Sequence, residues 1–511
     1  MTGSMYAAIS GLKSHMNALS VIGNNISNVN TLGYKTTRYT FNEALYTTQR
    51  TGSDGTASLG GVNPAQIGFG ASLGTIDLDM STKNYTLTGR NLDTMIDGDG
   101  FFLVGDKIVG DLINGKSGVD FDGAPGEIEL LKTLKLTRLG NFNIDANGYL
   151  VDGNGSVVWG FLETKVNSGY TEDGNYLDAY DTVETRNSIA WVNKILYDPA
   201  TNRLTPPAEE TTEAKEAREK EIEEARAYEK KWHNVIQNPD GMITSATTTD
   251  GETLTSMRLP MVGEWTATIE RTDYVLDSNN EPVPSGKTTT TEKGSSIVWP
   301  EEEETAHAVK DRDKSGALLF DGTTLISSGS PDSATKSTDT VYYDTTGKAL
   351  VDNNGKPLSF DQITDKTTIK YSIATTYDYP EVYSRLQPDS VSINDKTGAL
   401  TVLTSDQHLI TIGYLAIGKV TNPNGVTHVD GRYYQAQDGA GELRVTTIGG
   451  AVDGVESAGD TALITGGLES SGTDLATEIT NMITVQRGYQ ANTRIVTVTD
   501  SMLEELVNMK R

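Results

Sequence analysis

Apolar residues recur at sevens at both extreme ends of this chain. At the start, Met5, Leu12, Leu19 and Ile26 keep that spacing, with Ile9, Met16, Ile22 and Val29 at the alternating positions. At the finish, Leu475, Met482, Tyr489, Val496 and Leu503 repeat it, supported by Ile479, Val485 and Leu506. A period near 3.5 predicts a helix whose narrow apolar stripe packs on another helix. Chain termini fray unless something ties them down. The two stripes therefore predict helices that meet each other or dock on neighbouring copies, which points to assembly rather than catalysis.

Between the stripes the texture is that of short strands and turns. From Tyr34 to about Phe161 the signals are β. Phe142-Asn143-Ile144 and Tyr149-Leu150-Val151 flank Asp145-Ala146-Asn147-Gly148, where the Asn-Gly pair supplies the positive φ of a tight hairpin. A second turn, Asp152-Gly153-Asn154-Gly155, precedes Val157-Val158-Trp159. From about 162 to 375 the composition shifts. Pro206-Pro207 precede a stretch from Ala208 to Trp232 dense in Glu, Lys, Ala and Arg. It predicts a solvated surface helix near 208–232, with Glu216 and Lys220 as a favourably ordered i,i+4 pair. Thr-rich strands such as Trp265 to Ile269, and an acidic loop from Glu301 to Glu304, follow. Strand signals resume from about 376 to 465, with Gly398 to Leu403 and Ile410 to Leu415. Ser471 with Asp474 predicts a capping box opening the last helix. Lys510 and Arg511 sit at that helix's negative end, where cations are favoured.

The predicted fold class is mainly β and multidomain, with terminal helices that pair as a coiled coil around nested β-rich domains. Residues 1–34 and 466–511 supply the helices, and 35–161 with 376–465 form an inner β domain in two parts. Residues 162–375 form one or two inserted outer β-rich domains carrying the surface helix.

Composition narrows the function classes. A chain of 511 residues is expected to hold roughly three domains. The 52 glycines suit a fold rich in turns. Net charge is −28, so nucleic acid and anionic membrane are disfavoured as partners. Cysteine is absent, which removes disulfides, thiolate metal sites and thiol nucleophiles. No apolar run reaches the length of a bilayer span, so no membrane insertion is expected. The longest run, Leu409 to Val420, is broken by Gly413 and Gly418 and reads as a buried strand pair. The start of the chain lacks a basic segment, and Lys13, His15 and Asn17 interrupt the apolar stretch a secretory signal requires. Export, if it occurs, is expected to proceed without a cleaved signal.

Chemical motifs do not support an enzyme. Asn143, Asp145, Asn147 and Gly148 imitate the front of a calcium loop, but Asn154 stands where the closing Glu is required. Asp97-Gly98-Asp99-Gly100 runs into Phe101 and Phe102 where oxygen ligands would be needed. Gly68 and Gly70 are followed by Gly74, one residue too late for a dinucleotide fingerprint. The histidines (His15, His233, His307, His408, His428) are scattered. No catalytic residue, cofactor site or metal site is predicted.

Other motifs carry a resemblance. Asn24-Asn25-Ile26-Ser27-Asn28-Val29-Asn30-Thr31-Leu32-Gly33-Tyr34-Lys35 resembles the N-terminal signature of the bacterial flagellar rod and hook family. Leu468-Glu469-Ser470-Ser471, Asp474-Leu475-Ala476, Asn481-Met482-Ile483, Gln486-Arg487 and Tyr489-Gln490-Ala491-Asn492 resemble its C-terminal motif. Ile96 to Phe102, Thr137 to Phe142 and Asn422 to Gly425 fit as well. These motifs lie in 1–161 and 376–511, and the middle has no counterpart. The length and the large insertion resemble the hook-type members, and Lys35 after Gly-Tyr differs from the hook–filament junction members.

The resemblance implies a structural subunit outside the cell, in the flagellar hook and basal body. It would assemble into a helical tube that serves as a flexible universal joint between rod and filament in motility. The implied partners are copies of the chain itself, rod proteins below, hook–filament junction proteins above, a hook cap during assembly and the flagellar type III export apparatus. The terminal stripes are then the polymerisation seam. Some relatives crosslink subunits through a cysteine, a chemistry this chain cannot use. The alternatives are a long distal-rod-type protein and, from another class, an extracellular β-rich adhesin.

Overall fold

Four α-helices are found among the described residues: α1 (Thr2–Ser27), α2 (Ile189–Val192), α3 (Thr212–Glu229) and α4 (Leu475–Met509). The structure is a computed structural model and describes residues 2–52, 54, 60–82, 84–106, 119–120, 134–167, 169, 186–197, 203–205, 210–237, 241–249, 253–299, 319–321, 324–326, 336–350, 358–378, 382–385, 390–404 and 409–509. The expected features at Pro206-Pro207, Glu301–Glu304, His307, His408, Lys510 and Arg511 lie outside these residues. The architecture is mainly β with a helix at each end.

α1 and α4 lie antiparallel. Asn25 reaches Glu478, His15 lies against Gly488 and Gly11 against Asn492, so positions rising along one helix fall along the other. Two short ribbons follow α1. The strands β1 (Thr37–Glu43) and β4 (Ala71–Leu78) pair with each other, as do β2 (Tyr46–Arg50) and β3 (Ala65–Gly68). The first ribbon lies along α1, where Ser14 Oγ donates to the Ala71 carbonyl at 2.9 Å. Strand β5 (Tyr85–Leu87) pairs with Gly467–Glu469, and β6 (Asp93–Asp97) with Ala462–Thr465.

The main body is a 15-stranded sheet that interleaves both halves of the chain. Strand β7 (Phe101–Gly105) pairs with Lys135–Thr137, Val157–Lys165 and Leu409–Val420. Two buried clusters fill it. One holds Phe102, Phe142, Leu150, Val158, Leu400 and Ile417, and the other Phe101, Leu103, Leu136, Trp159, Phe161 and Tyr434. Phe102 and Phe142 meet edge-to-face with centroids 5.0 Å apart.

Two further bodies grow from that sheet. Strand Val157–Lys165 leaves its partner Leu409–Val420 at Leu162 and pairs with Ile243–Thr249 from Glu163 onward. There α2, α3 and the strands Trp232–Gln237 and Ile243–Thr249 enclose a small core of Ile189, Trp191, Val192, Ile195, Ala225 and Trp232. The second body is a seven-stranded sheet built on the long hairpin Met261–Leu276 and Pro282–Val298.

Several expectations need correction. Residues 162–375 do not make one uninterrupted excursion. Thr253–Ser256 pairs with Trp159 and Gly160, and Met257 and Leu259 are fully buried in the main core, so the chain re-enters the inner sheet between its two outgrowths. Leu409–Val420 is one 12-residue strand rather than a pair. Its glycines mark close approach instead of breaks, because a Cβ on Gly413 would lie 2.3 Å from the Phe161 carbonyl oxygen. The surface helix begins at Thr212 and ends at Glu229. It is not wholly solvated, since Ala225 is buried against α2 and Trp232 belongs to the next strand. Its internal ion pair is Lys215–Glu219 at 3.9 Å. The cap of α4 is Asp474 rather than Ser471: its carboxylate accepts from the Ala476 N–H at 3.1 Å and from the Thr477 hydroxyl.

Candidate assembly surface and its anchor

The contact between α1 and α4 combines small residues with a compact apolar centre. Ala8, Gly11, Ser14, Ala18, Ile22 and Asn25 are the buried positions of α1, at spacings of three and four. An added Cβ on Gly11 would lie 2.9 Å from Asn492 Nδ2, and one on Gly488 would lie 2.6 Å from the His15 ring. Both glycines let the helices approach closely enough for those side chains to seat. Ala18, Ile22 and Val485 form the apolar centre, with Leu19, Ile26, Met482 and Tyr39 packed around it.

The residues spaced at sevens flank this line. Met5, Leu12, Leu19 and Ile26 are half-buried, as are Met482, Val496 and Leu503. Leu475 and Tyr489 are exposed, because Val485, Gly488, Asn492 and Thr499 turn toward α1 instead. Gln486, Arg487 and Gln490 face outward, and Asn492 packs inward. The apolar beat does not mark the small positions. The recurrence of Ala8, Gly11, Ser14 and Ala18 was the signal for them.

The exposed side of the pair mixes apolar side chains with polar ones such as Gln486, Arg487 and Arg494. Tyr6, Ile9 and Met16 on α1 are exposed, as are Ile479, Ile483, Ile495, Val498, Met502, Leu506 and Val507 on α4, the last at 65 %. So many exposed large apolar side chains on one helix mark it as a candidate interaction surface. The antiparallel register also runs out before α4 does, because α1 has 26 residues and α4 has 35.

The family-like motifs converge on the joint between this helix pair and the main sheet. Asn25 Oδ1 accepts from Thr37 N, Thr37 Oγ1 and the Tyr34 hydroxyl, while its amide donates to the Thr37 carbonyl at 2.9 Å and to Glu478 at 3.1 Å. Asn28 accepts from Thr31 and donates to the Asn24 carbonyl, closing the end of α1. Gly33 takes φ +71° and donates its N–H to the Glu469 carbonyl at 2.8 Å. A side chain there would be strained and would press on Leu139.

At the centre of the joint, three charged side chains are buried together. Lys35 Nζ lies 2.6 Å from Glu469 Oε1 and donates to the Ser81 carbonyl at 2.9 Å. Arg138 Nε lies 3.4 Å from Glu469 Oε2, and its other nitrogens donate to the carbonyls of Ile96, Gly98 and Gly100 at 2.7–3.0 Å. Burial, then the neighbouring Arg138 charge, lowers the Lys35 ammonium to about 8. Burial lowers Arg138 as well and raises the hydroxyls of Tyr34 and Tyr434. Asp97-Gly98-Asp99-Gly100 is thus a socket for the Arg138 guanidinium, with both glycines at positive φ. The other acidic turn is filled by its own backbone: Asp145 Oδ1 accepts from Asn147 N and Tyr149 N.

Comparison with known proteins agrees with this layout. Residues 5–35 match the family described as Flagella basal body rod protein, and residues 464–509 match Flagellar basal body rod FlgEFG protein C-terminal. The flagellar basal-body rod protein FlgG of Bacillus subtilis is 43% identical over 155 residues, covering 30% of this chain and 50% of that one. The flagellar hook protein FlgE of Treponema pallidum is 25% identical over 534 aligned positions, covering all of both chains. A crystal structure of the Helicobacter pylori flagellar hook protein FlgE2 overlaps 75% of this chain and all of its own, at 13% identity and a TM-score of 0.24. That overlap is too low to establish a shared arrangement. Asn25, Gly33, Lys35 and Glu469 of the joint thus fall within the two terminal stretches that are similar to bacterial flagellar rod and hook proteins.

Proposed function

We propose that the chain is the structural subunit of the flagellar hook, added copy by copy into a tube through its terminal helix pair. The observation that carries this is the set of large apolar side chains on α1 and α4, Tyr6, Met16, Ile483, Val498 and Val507 among them, that no described residue covers. The full-length similarity to hook proteins supports the hook over a rod reading, since the FlgG match covers only 30% of the chain. In this reading α1 and α4 form a coiled-coil inner wall bearing the stripes at Met5–Ile26 and Leu475–Leu503. The main sheet is a middle shell, and the two outgrowths face outward. Apolar inner contacts resist sliding, whereas wet polar outer contacts exchange partners as the tube bends. Rod proteins, junction proteins, a cap and the export apparatus are the partners this role requires.

Electron microscopy of the purified chain under polymerising conditions tests the proposal. Curved tubes are expected. Straight tubes would indicate a rod protein, and persistent monomers would contradict assembly. The shells are tested by deleting residues 262–384 with a short Gly-Ser link. Met261 and Arg385 are paired neighbours, so the cut ends already lie together. Thinner tubes of the same inner wall are expected, and tubes of unchanged diameter would place the seven-stranded sheet elsewhere.

A further inference from the structure

The point where strand Val157–Lys165 passes from the main sheet to the small helical body holds a buried acid that the assembly reading does not use. The Glu163 side chain is fully inaccessible. Its Oε1 lies 2.8 Å from His233 Nδ1 and accepts from the Thr249 hydroxyl at 2.6 Å. Its Oε2 is buried and carries no hydrogen bond among the described residues. On the other side of the imidazole, the Tyr414 hydroxyl of the main sheet lies 3.4 Å from Nε2. The next residue, Asn234, is held at φ +48° and clamps the same strand: its amide donates to the Thr411 carbonyl at 2.7 Å and its oxygen accepts from Thr411 N at 2.8 Å.

His233 therefore stands in the seam between two bodies, touching a carboxylate of the shared strand and a phenol of the main sheet. We propose that His233 and Glu163 form a pH-sensitive latch that fixes the small helical body against the main sheet. The groups facing the imidazole are few. Among the described residues, Glu163 comes from the shared strand and Tyr414 from Leu409–Val420, while on Ile243–Thr249 the Thr249 hydroxyl donates to Glu163 and the Thr247 hydroxyl to the His233 carbonyl. On its own strand, Lys231 is paired with Asp453, and Lys165 lies two residues beyond Glu163 at the exposed end of the shared strand.

The sign follows from the charges. The Glu163 carboxylate 2.8 Å away raises the His233 imidazole above its ordinary value, against the opposing effect of burial. A histidine raised in the folded chain contributes stability that is complete below its unfolded value and is lost as pH rises through the folded one. Above that point, the buried carboxylate keeps its desolvation cost and has lost its counter-charge. The latch holds in acid and loosens toward alkaline pH.

Hydrogen exchange of the full chain reads this directly. Protection of peptides within 231–249, normalised for intrinsic exchange, should fall about tenfold between about pH 5.5 and pH 8.5, while peptides within 391–403 change little. Glu163→Gln should flatten the dependence. Equal loss in both regions, or the same dependence in Glu163→Gln, would overturn the proposal. Should that variant fail to fold, an imidazole titration of the unmodified chain decides, with His233→Gln identifying the signal. A midpoint above about 6.5 supports the latch, and a midpoint at or below it overturns it.

Discussion

The helix pair and the main sheet solve opposite problems with the same chain. In the sheet, strands from both halves interleave, and Phe102, Phe142, Trp159 and Phe161 are all within 2% of complete burial. Its apolar surface is satisfied inside one copy. In the helix pair, the inward line sets small and polar residues around a compact apolar centre of Ala18, Ile22 and Val485, while Tyr6, Ile483, Val498 and Val507 are exposed. Part of its apolar surface, beyond the Ala18, Ile22 and Val485 centre, stays exposed in one copy. The sheet thus closes its own core, whereas the helix pair leaves large apolar side chains exposed, the face that the proposed assembly would use. The buried Lys35–Glu469–Arg138 group lies at the joint between the two.

Substitutions separate these roles. The largest loss of stability is expected at the joint. Glu469→Ala removes the carboxylate shared by Lys35 and Arg138 and leaves two cations buried together. The cost should be about 3–5 kcal/mol, read by chemical denaturation. A cost under about 1 kcal/mol would mean the group is no more than a surface pair. Val485→Asp comes next. It buries an unpaired charge at the centre of the helix contact and should cost roughly 2–4 kcal/mol, seen as lost helicity while the β transition persists. Unchanged helicity would remove Val485 from the contact.

A smaller effect belongs to pH. The Lys35 ammonium, held at about 8 in the folded chain against 10.5 for an unperturbed lysine, releases its proton earlier when folded. The unfolded chain then binds more protons between those values, so this group makes stability rise with pH across that window. The difference in unfolding free energy between the unmodified chain and Lys35→Met should grow with pH from about 8 to about 10.5. A flat difference would show that Lys35 is not desolvated.

Much of this was legible in the residues. The period near 3.5 marked both helices, and the Asx-Gly pairs marked the turns at Asp145–Gly148 and Asp152–Gly155. Three features stayed hidden for physical reasons. Small residues such as Gly11 and Gly488 add nothing to an apolar beat, so the contact line between the helices was masked by its more apolar flanks. Leu409–Val420 looked divided because glycine in a strand reads as a break unless its neighbour's approach is known. Thr253–Leu259 lies inside a stretch of shifted composition, and only pairing over nearly a hundred residues returns it to the main sheet. The joint was partly legible: Lys35, Arg138 and Glu469 each lay in a motif, but nothing in the sequence said that the three meet.

The claim that the outer helix face is an interface is tested most directly by paired substitutions on it. Ile483→Asp and Val498→Asp place charge on exposed positions, where substitutions shift stability by only about 0.5 kcal/mol. Thermal unfolding and assembly should be measured on the same preparations. The account predicts an unchanged melting transition with no tubes formed. Normal tubes from either variant would contradict it.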